Sequence, residues 1–222
     1  MFKRLGRAPA VETLRQLYRN TMKTLFFDWN GKIIPNESIN NFNSYVKIHL
    51  DETEEFKIVE IIDDNSVTAM EYFLHENETF KNIFEKFPNF NFITFYSNRK
   101  KYGEYSKYDV FEISNNGSIE SKRIQVLRKN LLPIYDRAIN LIDETTHFFC
   151  KSYYDLDNNI HFEFEYDDKG DLLKISVYDP NDIYDTSNYT ILPNEVGKGK
   201  NFFNFEWKGF EYYQKAEPIL PV

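Results

Sequence analysis

Residues Tyr153–Pro180, YYDLDNNIHFEFEYDDKGDLLKISVYDP, decide the fold. Ile160 to Tyr166 alternate apolar and polar residues without a break, the pattern of a strand with one buried and one wet face. Asp167-Asp168-Lys169-Gly170 turns the chain, and Gly170 can take the positive φ that a tight hairpin needs. Leu173, Ile175 and Val177 resume the alternation on the way back. A Tyr-Asp pair punctuates the stretch at Tyr154, Tyr166 and Tyr178, every 12 residues. The reading is a β-meander.

Composition bounds the rest. A chain of 222 residues can bury a sizeable core. Its 21 Phe and 16 Tyr suit an aromatic β core, since rings favour strands and bury large areas. The formal charge of −8 makes a nucleic-acid backbone a poor ligand and a basic protein a natural one. A single cysteine, Cys150, excludes an internal disulfide framework and fits a reducing, cytoplasmic compartment. No apolar run approaches the roughly 20 residues of a membrane helix.

The first 21 residues differ in character from the rest of the chain. They hold Arg4, Arg7, Arg15 and Arg19, half of all the arginines, and carry +4 against −12 from Met22 onward. Val11, Leu14, Leu17 and Tyr18 could share a helical face, as in a transit peptide. The preferred reading is an upstream extension outside a single domain spanning 22–222.

Lys23–Phe27 reads as a first strand, with Asn30-Gly31 turning into Lys32-Ile33-Ile34. Val46, Ile48 and Leu50 mark a second strand, and Phe56–Ile62 a third. Asp63-Asp64-Asn65-Ser66 resembles a helix start, followed by Val67, Met70, Phe73 and Leu74 at helical spacing. Phe80, Ile83, Phe84 and Phe87 continue the stripe until Pro88 stops it. Phe90–Tyr96 is apolar on both faces, like a central strand. Asn98-Arg99-Lys100-Lys101 is a basic cluster, most simply a solvated loop. Tyr108–Ile113 and Ile119–Ile124 flank the hairpin signal Asn115-Asn116-Gly117. Leu131, Ile134, Tyr135, Ala138 and Leu141 predict a second helix with Pro133 in its first turn. Phe203, Phe205 and Trp207 share a face that Phe210 and Tyr212 rejoin only after a bulge at Gly209. The expected fold is α+β: a mainly antiparallel sheet of hairpins and a meander, with about two helices packed on it.

Candidate chemistry is sparse. Phe27-Asp28-Trp29-Asn30-Gly31-Lys32 resembles the first motif of haloacid-dehalogenase-type phosphatases, which would make Asp28 a nucleophile. Asn30 stands where that family places its second carboxylate, so a hairpin explains the residues better. Asp155, Asp157 and Asn159 offer oxygen ligands at alternate positions, but Ile160 replaces the required Gly of a calcium loop and Tyr166 its bidentate Glu. His147 and Cys150, with His161, fall short of a zinc ligand set, and a buried structural cysteine is expected. No cofactor and no catalytic kit are expected.

Two resemblances go further. Glu165 to Leu172 looks like one unit of the YD-repeat hairpins of Rhs-type toxin shells, although one meander cannot enclose anything. In size, charge and lack of reactive motifs the whole chain is similar to small bacterial immunity proteins that neutralise polymorphic or contact-dependent toxins. That resemblance implies occlusion of a basic toxin domain. Asp167, Asp168, Asp171, Asp182 and Asp185, with Tyr184 and Tyr189 between them, would cover its cleft. An equally simple reading makes those acids a solvated turn region. A ligand- or carbohydrate-binding module using exposed Trp29, Trp207 and Tyr212 is the alternative, and a hydrolase using Asp28 a third.

Overall fold

Alternating residues put one strand after another into sheet, and each short turn returns the chain beside its predecessor. The computed structural model describes residues 23–28, 32–51, 53, 55–154, 160–178, 189–198 and 205–221. Its strands are β1 (Lys23–Phe27), β2 (Tyr45–Leu50), β3 (Phe56–Asp63), β4 (Ser66–Phe73), β5 (Phe92–Tyr102) and β6 (Tyr105–Ser114). They continue with β7 (Ile119–Arg128), β8 (Pro133–Ile139), β9 (Thr146–Tyr154), β10 (Ile160–Tyr166), β11 (Leu172–Val177) and β12 (Tyr189–Ile191). Strand order in the sheet follows chain order from β1 to β12. One α-helix is described, α1 (Phe80–Lys86), besides short 3-10 turns. No described helix is long and apolar enough to cross a membrane. Among the described residues the contacts fall into two compact units, one within 1–97 with 111–120 and one within 98–110 with 121–222.

In the first unit β1, β2, β3 and β4 pair antiparallel in sequence. The chain then crosses through α1 and returns as β5 parallel to β4, with Tyr72 beside Phe95. Thr79 caps α1 by accepting the Asn82 amide, and Pro88 follows it. Ile83 and Phe87 pack with Ile58, Met70, Tyr72, Ile93, Phe95 and Ile113. The crossover loop is held by a buried cation: Lys57 pairs with Glu78, donates to the Phe73 carbonyl at 3.2 Å and lies 4.7 Å over the Tyr72 ring.

The expected helix therefore forms only in its second half. Asp64 and Asn65 both adopt positive φ, 45° and 59°, the requirement of a two-residue hairpin turn of the primed type. Val67 to Phe73 then run back antiparallel to β3, burying Met70 and Tyr72. The spacing of Val67, Met70 and Phe73 coincided with a helix, but the cross-strand partners Glu60 and Ile58 give Met70 and Tyr72 a period of two.

Glu71 sits on this strand between Val59 and Thr94, forms no ion pair with a described residue, and has its pKa raised by burial to about 7. The native state thus binds a proton that the unfolded chain releases between about pH 4.5 and 7, so stability falls as pH rises through that window. Glu71→Gln is expected to flatten this slope and to gain on the order of 2 kcal/mol at pH 8, read from urea midpoints at pH 5 and 8.

The second unit is the meander. β7 to β12 pair antiparallel in order, and the predicted β9–β10–β11 core of it is present. Gly170 takes φ +83° at the β10–β11 turn. The Tyr-Asp punctuation has a physical meaning. The buried rings of Tyr154 and Tyr166 donate their hydroxyls to the carbonyls of Pro133 (3.0 Å) and Tyr213 (2.7 Å).

Two expectations fail here. The segment expected as a second helix is β8, with Pro133 as its first residue and sheet partners on both sides. Leu131 adopts φ +67° in the preceding turn, and Leu141 lies beyond the strand. Pairing across two neighbours outweighed a weak helical periodicity. Nor does Gly209 mark a bulge between strands. It turns the chain at φ +85°, Phe210 donates to the Trp207 carbonyl at 2.8 Å, and a 3-10 turn Glu211–Tyr213 follows. Phe203 lies outside the described residues. The fold is a large, mostly antiparallel sheet with little helix.

The C-terminal stretch 205–221 covers one side of the meander. Phe205, Tyr213 and Ala216 join Phe162, Phe164, Tyr166, Ile175 and Val177 in one core. Phe164 and Tyr213 stack at 4.5 Å, and edge contacts link Phe162 to Phe205 and Phe210 at 5.1 and 5.5 Å. Each such pair adds about 0.5–1.5 kcal/mol beyond area burial.

Candidate functional site

The acidic turn expected to meet a partner is partly spent on holding itself together. Asp167 accepts the backbone amides of Lys169 (3.0 Å) and Asp171 (2.8 Å), an Asx-type turn. Asp171 pairs with Lys215, whose cation holds the Asp171 carboxyl below the usual range. The Ala216 amide donates to the Gly170 carbonyl at 3.1 Å, and a side chain at Gly170 would press on Ala216. The hairpin tip is thus tied to the C-terminal stretch; Asp168 and Asp171 are both exposed, Asp171 within its pair to Lys215. Tyr189 is exposed on β12, while Asp182, Tyr184 and Asp185 lie outside the described residues.

Sequence reading missed the β8–β9 loop. Ile142 is 94% exposed and Leu141 45%. Their loop is braced from within. Asn140 receives the Ile142 amide on its side chain (2.9 Å) and the Glu144 amide on its carbonyl (3.0 Å). Asp143 accepts both the amide and the hydroxyl of Thr145, at 3.0 and 2.7 Å, which lowers its pKa. Glu144 holds a positive φ of 57° and pairs with Lys122 at 2.7 Å. A left-handed non-glycine residue costs on the order of 1 kcal/mol, so this backbone is fixed by its bonds. The result is two aliphatic side chains on a rigid tip, followed at once by two carboxylates.

Buried ionic groups lie elsewhere. Glu60 receives His49 Nε2 at 2.8 Å and Lys47 Nζ at 2.5 Å, and His49 Nδ1 stands 3.3 Å from the Thr24 hydroxyl. Hydroxyl, imidazole and carboxylate follow the order of a hydrolytic triad. Lys47 shares the same Glu60 oxygen, however, and already balances its charge. The group is a cross-strand ion network of β1, β2 and β3. No periodicity announced it, because His49 and Glu60 merely occupy the polar beats of alternating strands.

Lys151, fully buried in β9, sends its ammonium to the carbonyls of Tyr212, Lys215 and Pro218 at 2.8, 2.8 and 2.9 Å. It also lies 3.7 Å from the centre of the Tyr212 ring. Burial lowers its pKa to about 7, while three acceptors match the three N–H groups of the charged form.

The other sequence candidates are not gathered into a site. Asp28 accepts the Lys32 amide at 2.8 Å, and Trp29 lies outside the described residues. His147 is exposed and Cys150 buried, as three positions along a strand require. Burial pushes the Cys150 thiol far above its ordinary pKa, as befits a structural cysteine. His161 packs against Tyr153 and Phe162. Asp155, Asp157 and Asn159 lie outside the described residues. No cluster of three or more His, Cys, Asp or Glu suited to a metal occurs among the described residues. Trp207 and Tyr212 are half-buried against the aromatic core, and Tyr212 donates to the Ile219 carbonyl at 3.0 Å. No family model, characterised protein or solved structure matches the chain.

Proposed function

We propose that this chain acts by binding another protein, as an immunity-type inhibitor that occludes a basic toxin domain. The carrying observation is the braced loop tip, where Leu141 and a 94% exposed Ile142 precede Asp143 and Glu144. An aliphatic anchor beside carboxylates fits an apolar pocket with a basic rim, and central apolar anchors dominate binding energy in interfaces. The tip is already ordered, so little conformational freedom is lost on docking. The chain's charge of −8 speeds encounter with such a partner. Asp168 adds an exposed carboxylate of the acidic turn, whereas Asp167 and Asp171 serve the fold.

The test pairs the chain with the product of the gene beside its own. Wild type is expected to capture that product and to relieve its toxicity. Ile142→Asp should weaken binding at least tenfold, with an unchanged melting temperature, because the residue buries nothing in the free protein. Asp168→Lys should slow association several-fold and reduce its salt dependence. A neighbour that is harmless and unbound overturns the immunity reading. Binding that survives Ile142→Asp removes the loop tip from the interface.

A further inference from the structure

We propose that the basic hairpin Asn98–Asp109 binds a small phosphomonoester, with the phosphoryl group in the hollow lined by Asn98, Arg99, Lys100, Lys107 and Asp109. The hollow measures about 300 Å³, room for a phosphoryl group with a few attached atoms. Three cations and one carboxylate line it, so it carries a surplus of two positive charges inside a chain of net charge −8. That surplus matches a phosphomonoester, which carries about −1.5 to −2 at neutral pH.

The local backbone makes the gathering. In a regular strand, successive side chains point to opposite faces. Here Asn98, Arg99 and Lys100 line one hollow, because Asn98 departs from the pleat at φ +52°. Its side-chain amide donates to Asp109 at 2.7 Å and so holds the departure in place. The resident carboxylate is thereby turned toward an amide donor.

Arg99 is oriented before any ligand arrives: Nε meets the Ser106 hydroxyl at 3.3 Å, and the guanidinium lies 5.9 Å from the Tyr108 ring centre. Lys100 and Lys107 form no ion pair with any described residue. Two like charges collected in one hollow repel each other, an arrangement that an anion between them relieves. A guanidinium fork plus two mobile ammonium groups suits a tetrahedral dianion better than a planar carboxylate. This site stands apart from the partner-binding reading and does not rest on it.

The experiment titrates the isotope-labelled full chain with inorganic phosphate and with glycerol 3-phosphate, following backbone amide NMR signals, with chloride at matched ionic strength as reference. Signals of residues 98–109 are expected to move saturably, with half-saturation at low millimolar concentration or below. Glycerol 3-phosphate should bind at least as tightly as inorganic phosphate. Lys100→Gln and Lys107→Gln, neither a member of a core cluster, should each weaken binding about tenfold while leaving other signals in place. Shifts that fail to saturate, equal shifts in chloride, or unchanged affinity in both variants overturn the site. Binding of inorganic phosphate alone overturns the monoester assignment.

Discussion

Lys151→Met is expected to lower the unfolding free energy by about 3–5 kcal/mol and to expose residues 205–221 to protease. Methionine replaces the aliphatic stem, so the loss is that of the ammonium. Its three carbonyl partners, Tyr212, Lys215 and Pro218, belong to a stretch with no sheet strand of its own. Each bond contributes about 0.5–1.5 kcal/mol net, because burying the ammonium offsets its charge assistance, and each carbonyl left dry costs a further 1–3 kcal/mol. The stretch can escape part of that cost by peeling away into water, which is why the loss stays below the sum. Peeling has its own cost, because Phe205, Tyr213 and Ala216 leave the core with it. Lys151→Arg should recover less than half, since a planar fork cannot aim at three carbonyls arranged as a tripod. Urea unfolding gives the energy, and limited proteolysis with mass spectrometry gives the site of release. A loss under about 1 kcal/mol with an unchanged cleavage pattern would show that aromatic packing alone holds the C-terminal stretch.

Lys151 also marks where sequence reasoning stops. The β10–β11 hairpin was legible because Phe162 and Phe164 alternate with glutamates and Gly170 supplies the one conformation the turn demands. Phe80, Ile83, Phe84 and Phe87 announced α1 for the same reason, a period carried by large side chains with Pro88 as a stop. β4 and β8 were misread because their apolar residues fit two periods at once, and the choice lay with distant partners. Val59 and Thr94 flank Glu71 from either side, and local spacing contains neither. The acidic turn was legible as a turn but not as a structural tie, because Lys215 lies 44 residues away in sequence. The exposed tip at Ile142 was hidden for the opposite reason: Leu141 completed a helical stripe that the chain does not form.

Glu60→Ala should be as damaging in the first unit, at about 3–5 kcal/mol, because it removes the acceptor that His49 and Lys47 share. Burial by itself would raise the Glu60 pKa, but bonds from His49 and Lys47 outweigh it and hold the carboxyl below its ordinary value. Lys47 is 26% exposed and can swing its ammonium to water when the acid is gone. His49 is buried and cannot, so its imidazole keeps only the Thr24 hydroxyl at 3.3 Å. The damage therefore travels mainly through His49. The double variant His49→Leu/Glu60→Leu should cost less than the sum of its two single changes by about 1.5–3 kcal/mol, since neither polar group then remains unpaired. The pH dependence has a fixed sign. A depressed carboxylate stabilises the fold fully above its unfolded value near 4.5, and that contribution disappears as pH falls through its folded value. Wild type should lose stability on this acid limb more steeply than Glu60→Gln, whose neutral amide has nothing left to titrate. Equal acid slopes in the two proteins, with additive costs in the double variant, would mean that the three strands are held by their ladders and apolar faces, with the ion network a passenger.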